Sequence, residues 1–120
     1  MRFIRDIHSE KAAAGKPTIS FEFFPFKTPE GEATFFGKTL PALMTAEPDY
    51  TSVTYGAGGS TREKTLEIVE QIQNDFSLTT MAHLTCIKHT QDEIDAILDE
   101  ANNRGTVSYT HLTLPTILLV

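Results

Sequence analysis

Three short segments carry residue types that can do chemistry. Thr18 to Pro25 reads TISFEFFP, an apolar run interrupted by one acid, Glu22. A carboxylate set among Ile19, Phe21, Phe23 and Phe24 is costly to bury in its ionised form, which suits it to deliver a proton near neutral pH. The equally weighted alternative is a structural ion pair, for which Lys27 is close in sequence. Tyr55 to Ser60 reads YGAGGS and leads into a helix start, where free amides bind phosphate or other anions. Its spacing matches neither the Walker nor the dinucleotide fingerprint, and a plain βα turn is the commoner meaning of such a segment. His83 lies in MAHLTC and forms H-x2-C-x2-H with Cys86 and His89. Structural zinc takes four ligands, usually from paired knuckles, and no second knuckle is present, so no metal is assigned. A lone strand histidine is more often packed and hydrogen-bonded.

The elements that must position these residues follow from periodicity. Residues 1–14 form an amphipathic helix with Phe3, Ile4 and Ile7 on one side, closed by Gly15 and Pro17. In the TISFEFFP strand neither face is plainly polar, which predicts burial on both sides and suits a parallel sheet. Thr28 before Pro29 signals a helix start, and that helix runs to about Met44, restarted or kinked at Pro41. Tyr50 to Tyr55 is rich in β-branched and aromatic residues and meets a glycine-rich turn. Ser60 with Glu63 forms a capping box, followed at helical spacing by Thr65, Ile68, Val69, Ile72 and Phe76. Thr79 to Leu84 is a third strand. A second capping box, Thr90 with Glu93, precedes the stripe Ile94, Ile97, Leu98 and Ala101, stopped by Asn103 and Gly105. The three chemical segments thereby fall at the carboxyl ends of three successive strands.

Repeated βα units imply parallel pairing and leave a doubly wound sheet or a (β/α)8 barrel. A barrel takes about 250 residues, so the 120 residues here predict three units of an incomplete α/β fold. With 40% hydrophobic residues and a net charge of −6, the composition is that of a soluble domain without a basic stripe, and no nucleic-acid partner is expected. No apolar run approaches the ~20 residues that span a bilayer, so no membrane partner is expected. One cysteine, Cys86, and no signal-like leader fit a cytoplasmic setting. After Arg104 the composition changes. TVSYTHLTLPTILLV has no charged side chain apart from a possible His111, and SYTHLTLPT resembles the translated read-through of a sequencing adapter. The alternative is a fourth strand with a proline bend. Residues 106–120 are expected to be a spurious tail, and residues 1–105 the folded segment.

FEFFP at Phe21 to Pro25, SVTYGAGGS at Ser52 to Ser60, HLTC at His83 to Cys86 and NNRG at Asn102 to Gly105 resemble, in order and spacing, the 5,10-methylenetetrahydrofolate reductases. The resemblance implies the first three βα units of a flavin-binding (β/α)8 TIM barrel over residues 1–105. It implies that the parent enzyme is a homo-oligomer that uses FAD and NADH or NADPH to reduce methylenetetrahydrofolate, while this segment alone is inactive. By the same resemblance Glu22 is the catalytic acid, Thr54 lies beside the nicotinamide nucleotide, and Tyr55, Ala57 and His83 line the FAD. Two departures stand out. Phe26 replaces the family's second proline, which is expected to loosen the loop after the first strand. The arginine, glycine, aspartate triplet that ends the family's fourth strand has no counterpart here. A second reading from the residues themselves is a non-catalytic α/β module, in which YGAGGS holds an anion or nucleotide and Glu22 is merely paired.

Overall fold

The computed structural model describes residues 2–55, 62–86, 89–106 and 109–112. Helix α1 (Ile4–Ala13) precedes strand β1 (Ser20–Phe23); α2 (Pro29–Thr34), a π-helical turn (Phe35–Thr39) and α3 (Leu40–Met44) form one helical stretch; then come β2 (Tyr50–Val53), α4 (Arg62–Phe76), β3 (Thr80–Thr85), α5 (Gln91–Asn103) and β4 (Tyr109–Leu112). The four strands form one sheet in the order β1-β2-β3-β4, and every pair is parallel. A doubly wound sheet reverses its strand order at a switch point. These four strands do not.

Sequence signals account for most boundaries. Thr28 Oγ1 accepts from the Gly31 N–H at 3.1 Å, with Pro29 opening α2. Thr90 and Glu93 make the expected reciprocal capping box on α5. Of the Ser60 and Glu63 box, Glu63 lies in the first turn of α4, whereas Ser60 and the turn before it lie outside the described residues. The kink expected at Pro41 takes a specific form: Leu40 N–H bonds the Phe35 carbonyl five residues back, so the helix widens into a π turn just before the residue that cannot donate. Helix exits share one device. Gly15, Glu47, Ser77 and Gly105 all have positive φ, between 50° and 78°, after α1, α3, α4 and α5 respectively. At Glu47 and Ser77 a side chain makes that conformation costly, by about 1 kcal/mol each.

The core lies on one face of the sheet. Val53 and Ala82 pack against Leu66, Ile68, Val69 and Ile72 of α4, with Phe35 and Leu40 closing one flank. A smaller cluster joins Tyr55 and Leu84 to Ile97 of α5. At the amino ends of the strands, Asp49 ties three elements together. Its Oδ2 accepts from the Ile19 N–H at 2.9 Å, its own N–H donates to the Ile19 carbonyl at 2.8 Å, and Lys11 of α1 lies 2.7 Å from its Oδ1. The Ile19 amide, followed by Lys11, holds this carboxyl below the ordinary aspartate value of 3.8. On the outer surface Lys64 sits 2.7 Å from Glu32 and 3.4 Å from Glu67, and Glu32 first holds its ammonium above the usual lysine value.

Three expectations need correction. Strand β1 is not buried on both sides: among the described residues it is an edge strand paired with β2 alone, Ile19 and Phe24 are exposed, and Phe24 reaches 71% exposure. On α1 only Ile7 is buried, while Phe3 caps the helix and is exposed. Phe26 does not loosen the loop after β1. It is half-buried, and its ring lies 4.8 Å from Phe35 and 5.8 Å from Phe36, in a cluster that also holds Phe23. Aromatic pairs at such separations add about 0.5–1.5 kcal/mol beyond burial, so Phe26 anchors the loop to the helical stretch below it. Tyr109–Leu112 pairs with β3 in parallel.

Candidate active site

Side chains alternate between the faces of a strand, and the register decides which residues meet. Glu22 lies opposite Ser52, and Ser52 opposite Met81. His83, two residues beyond Met81, shares their face. Val53 and Ala82 point the other way, into the core beneath α4. The face bearing Glu22, Ser52 and His83 is thus the one opposite α4.

On that face the three side chains meet. Ser52 Oγ donates to Glu22 Oε2 at 3.3 Å, and His83 Nε2 lies 3.3 Å from the same oxygen. Strands β1 and β3 stand about 10 Å apart, two spacings of the ladder. Glutamate and histidine side chains are long enough to bridge that gap across β2, where Ser52 lies level with Glu22. Ser52 is buried, His83 is 15% exposed and Glu22 is 51% exposed. The burial expected of Glu22 is therefore absent, and the reason is its place on an edge strand. Its partner is His83 with Ser52, not Lys27.

The other predicted residues are placed as follows. Thr54 stands at the carboxyl end of β2, where its N–H donates to the Phe23 carbonyl at 2.9 Å and its own carbonyl accepts from Thr65 Oγ1 at 2.9 Å. These two bonds fix the ends of β1 and β2 and the start of α4 relative to one another. Tyr55 has the opposite parity from Thr54, and its ring is buried in the cluster with Leu84 and Ile97, away from Glu22. Ala57 lies outside the described residues. His83, Cys86 and His89 do not converge: among the described residues no group of three potential ligands could hold a metal ion. No helix among the described residues is long and apolar enough to cross a membrane. Ser52 lies within the SVTYGAGGS motif, which by itself assigns it no role. The signal was parity, since Ser52 and Thr54 share a face while Val53 and Tyr55 share the other.

The site is thus an acid, an imidazole and a hydroxyl brought together near the carboxyl ends of parallel strands, where α/β enzymes hold their chemistry. A family model, Methylenetetrahydrofolate reductase, matches residues 7–111. The chain belongs to this family. Over 105 residues it is 39% identical to a probable methylenetetrahydrofolate reductase (NADH) of Oryza sativa, covering 88% of this chain and 17% of that protein. It is 40% identical over 91 residues to methylenetetrahydrofolate reductase (NADH) 1 of Arabidopsis thaliana, covering 76% of this chain and 15% of that protein. It is 38% identical over 91 residues to the 5,10-methylenetetrahydrofolate reductase of Escherichia coli K12, covering 76% and 30% respectively.

Proposed function

We propose that this chain supplies the first βα units of a (β/α)8 barrel that reduces 5,10-methylenetetrahydrofolate to 5-methyltetrahydrofolate, with Glu22 as the acid. The observation that carries the proposal is the convergence of Glu22 and His83 on one sheet face, in a chain of this family. The unreversed strand order supports the barrel. Membership supports the substrate class, and the relatives from rice and Arabidopsis carry NADH in their names; NADH or NADPH is the proposed hydride donor here. The reading takes the enzyme as cytoplasmic and homo-oligomeric, with the present segment inactive by itself.

An FAD fits the described residues. Glu22 keeps half its surface free beside an imidazole, and the surface they share lies opposite α4. His83 and Thr54 are proposed to hold the flavin and the nucleotide, with Ala57 and the backbone of Tyr55 contributing at the β2 turn. When bound, FAD supplies hydride transfer from nucleotide to folate. Glu22 supplies a proton to the folate nitrogen of the methylene bridge: the carboxyl O–H breaks, an N–H forms, and the C–N bond opens to leave an iminium that accepts hydride.

The reading takes residues 1–105 as the reductase segment and residues 106–120 as a read-through tail. An apolar segment of any origin pairs readily with an open sheet edge, so the β4 ladder is compatible with it, although the family match runs on to residue 111. Contiguous genomic sequence past Gly105 decides the point: a coding sequence that retains SYTHLTLPT rules the tail assignment out.

The function is tested on the full-length protein. It should purify yellow with bound FAD and oxidise NADH or NADPH, and a colourless inactive product refutes the assignment. Glu22→Gln should abolish folate reduction while flavin reduction by the nucleotide persists. Equal loss of both half-reactions refutes the proton-donor role.

A further inference from the structure

We propose that Ser52 is a positioning residue that, together with His83, fixes which oxygen of Glu22 carries the transferable proton. The inference rests on the reading of Glu22 as the acid. Both partners face the same atom: Ser52 Oγ donates to Oε2 at 3.3 Å, and His83 Nε2 lies 3.3 Å from it. The hydroxyl oxygen of a protonated carboxyl is a poorer acceptor than its carbonyl oxygen, so the oxygen to which Ser52 donates is the one better left without the proton. The proton therefore resides on Oε1, and the imidazole presents its Nε2–H toward Oε2.

The arrangement also limits rotation. Glu22 is half exposed on an edge strand, so without these bonds its side chain would sample several rotamers and offer its proton in several directions. Ser52 is buried and directly opposite Glu22 in the ladder, which makes it the fixed point against which the carboxyl is set. After transfer the carboxylate gains from the Ser52 hydroxyl and the nearby imidazole, because hydrogen bonds to a charged acceptor are the stronger kind. Ser52 touches no reacting atom; it acts through Glu22.

The test uses the full-length reductase that carries this segment, with each half-reaction followed separately by rapid mixing. Ser52→Ala should slow flavin oxidation by the folate about tenfold, the loss expected for a hydrogen bond to a charged group in a half-exposed setting. Flavin reduction by NADH should be unchanged, and Ser52→Thr, which keeps the hydroxyl, should restore the folate step. A Ser52→Ala enzyme with a normal folate step overturns the proposal. So does parallel loss of both half-reactions, the mark of a structural role, or a Ser52→Thr enzyme as slow as Ser52→Ala. A wild-type enzyme that holds no flavin or reduces no folate overturns the proposed function first and this inference with it, a failure visible before any variant is made.

Discussion

Removing Asp49 should loosen the junction between α1, β1 and β2 far more than its single side chain suggests. Its carboxylate accepts from the Ile19 amide at 2.9 Å and faces Lys11 at 2.7 Å. A hydrogen bond to a charged acceptor contributes about 1.5–3 kcal/mol. Lys11 remains 31% exposed, so the ion pair adds only about 0–1 kcal/mol. The bond from the Asp49 amide to the Ile19 carbonyl is backbone and survives any substitution. Asp49→Ala should therefore cost about 2–3 kcal/mol, Asp49→Asn about half of that because its side-chain carbonyl can still accept from Ile19, and Lys11→Met less than 1 kcal/mol.

Urea unfolding followed by circular dichroism reads these differences, and its pH dependence adds a second check. The folded-state value of Asp49 lies below the ordinary 3.8. Its stabilising contribution is thus complete above 3.8 and is lost as pH falls through the lower, folded-state value. The gap between wild type and Asp49→Ala should be flat from neutral pH down to about 4 and should shrink below that. If Asp49→Asn costs as much as Asp49→Ala, the Ile19 bond is not the main term. If the gap persists unchanged in acid, or Lys11→Met matches Asp49→Ala, the reasoning is refuted.

Phe26→Ala should destabilise by about 2 kcal/mol, roughly half the value for a fully buried phenylalanine, and Phe26→Pro should cost as much; a Phe26→Pro variant at least as stable as wild type would show that the aromatic cluster does not anchor the loop. Thr90→Ala should cost about 1 kcal/mol by breaking the capping box, with faster amide exchange confined to the first turn of α5. Unchanged exchange there would mean that the turn is held by something else.

The helices were legible because their signals are local. Thr28 with Pro29 and Thr90 with Glu93 each specify a helix start within four residues, and the structure uses both. The stripe Ile68, Val69 and Ile72 specified the buried face of α4 for the same reason. The π turn at Phe35–Thr39 was half legible: Pro41 marks a disturbance, but whether the helix bends or widens is decided by how Phe35 packs against Phe23 and Phe26. Phe26 itself was misread because its aromatic partners lie nine and ten positions along the chain, beyond any local pattern.

The site was legible in composition and not in burial. Period-two alternation puts Glu22, Ser52 and His83 on one face once the register is known, yet register and strand order are properties of the whole sheet. Strand β1 illustrates the difference. Its apolar residues are those of a strand covered on both sides, and it stands at a sheet edge with Ile19 and Phe24 exposed and Glu22 half open. Such a strand at an edge is an aggregation liability that folds ordinarily suppress with charge, proline or a bulge inside the strand, and Ser20–Phe23 offers Glu22 alone to that end. Closing a barrel removes the edge altogether. The mismatch between the composition of β1 and its surroundings is compatible with the proposed barrel, in which the same Glu22 would gain the burial that its neighbours in sequence predict.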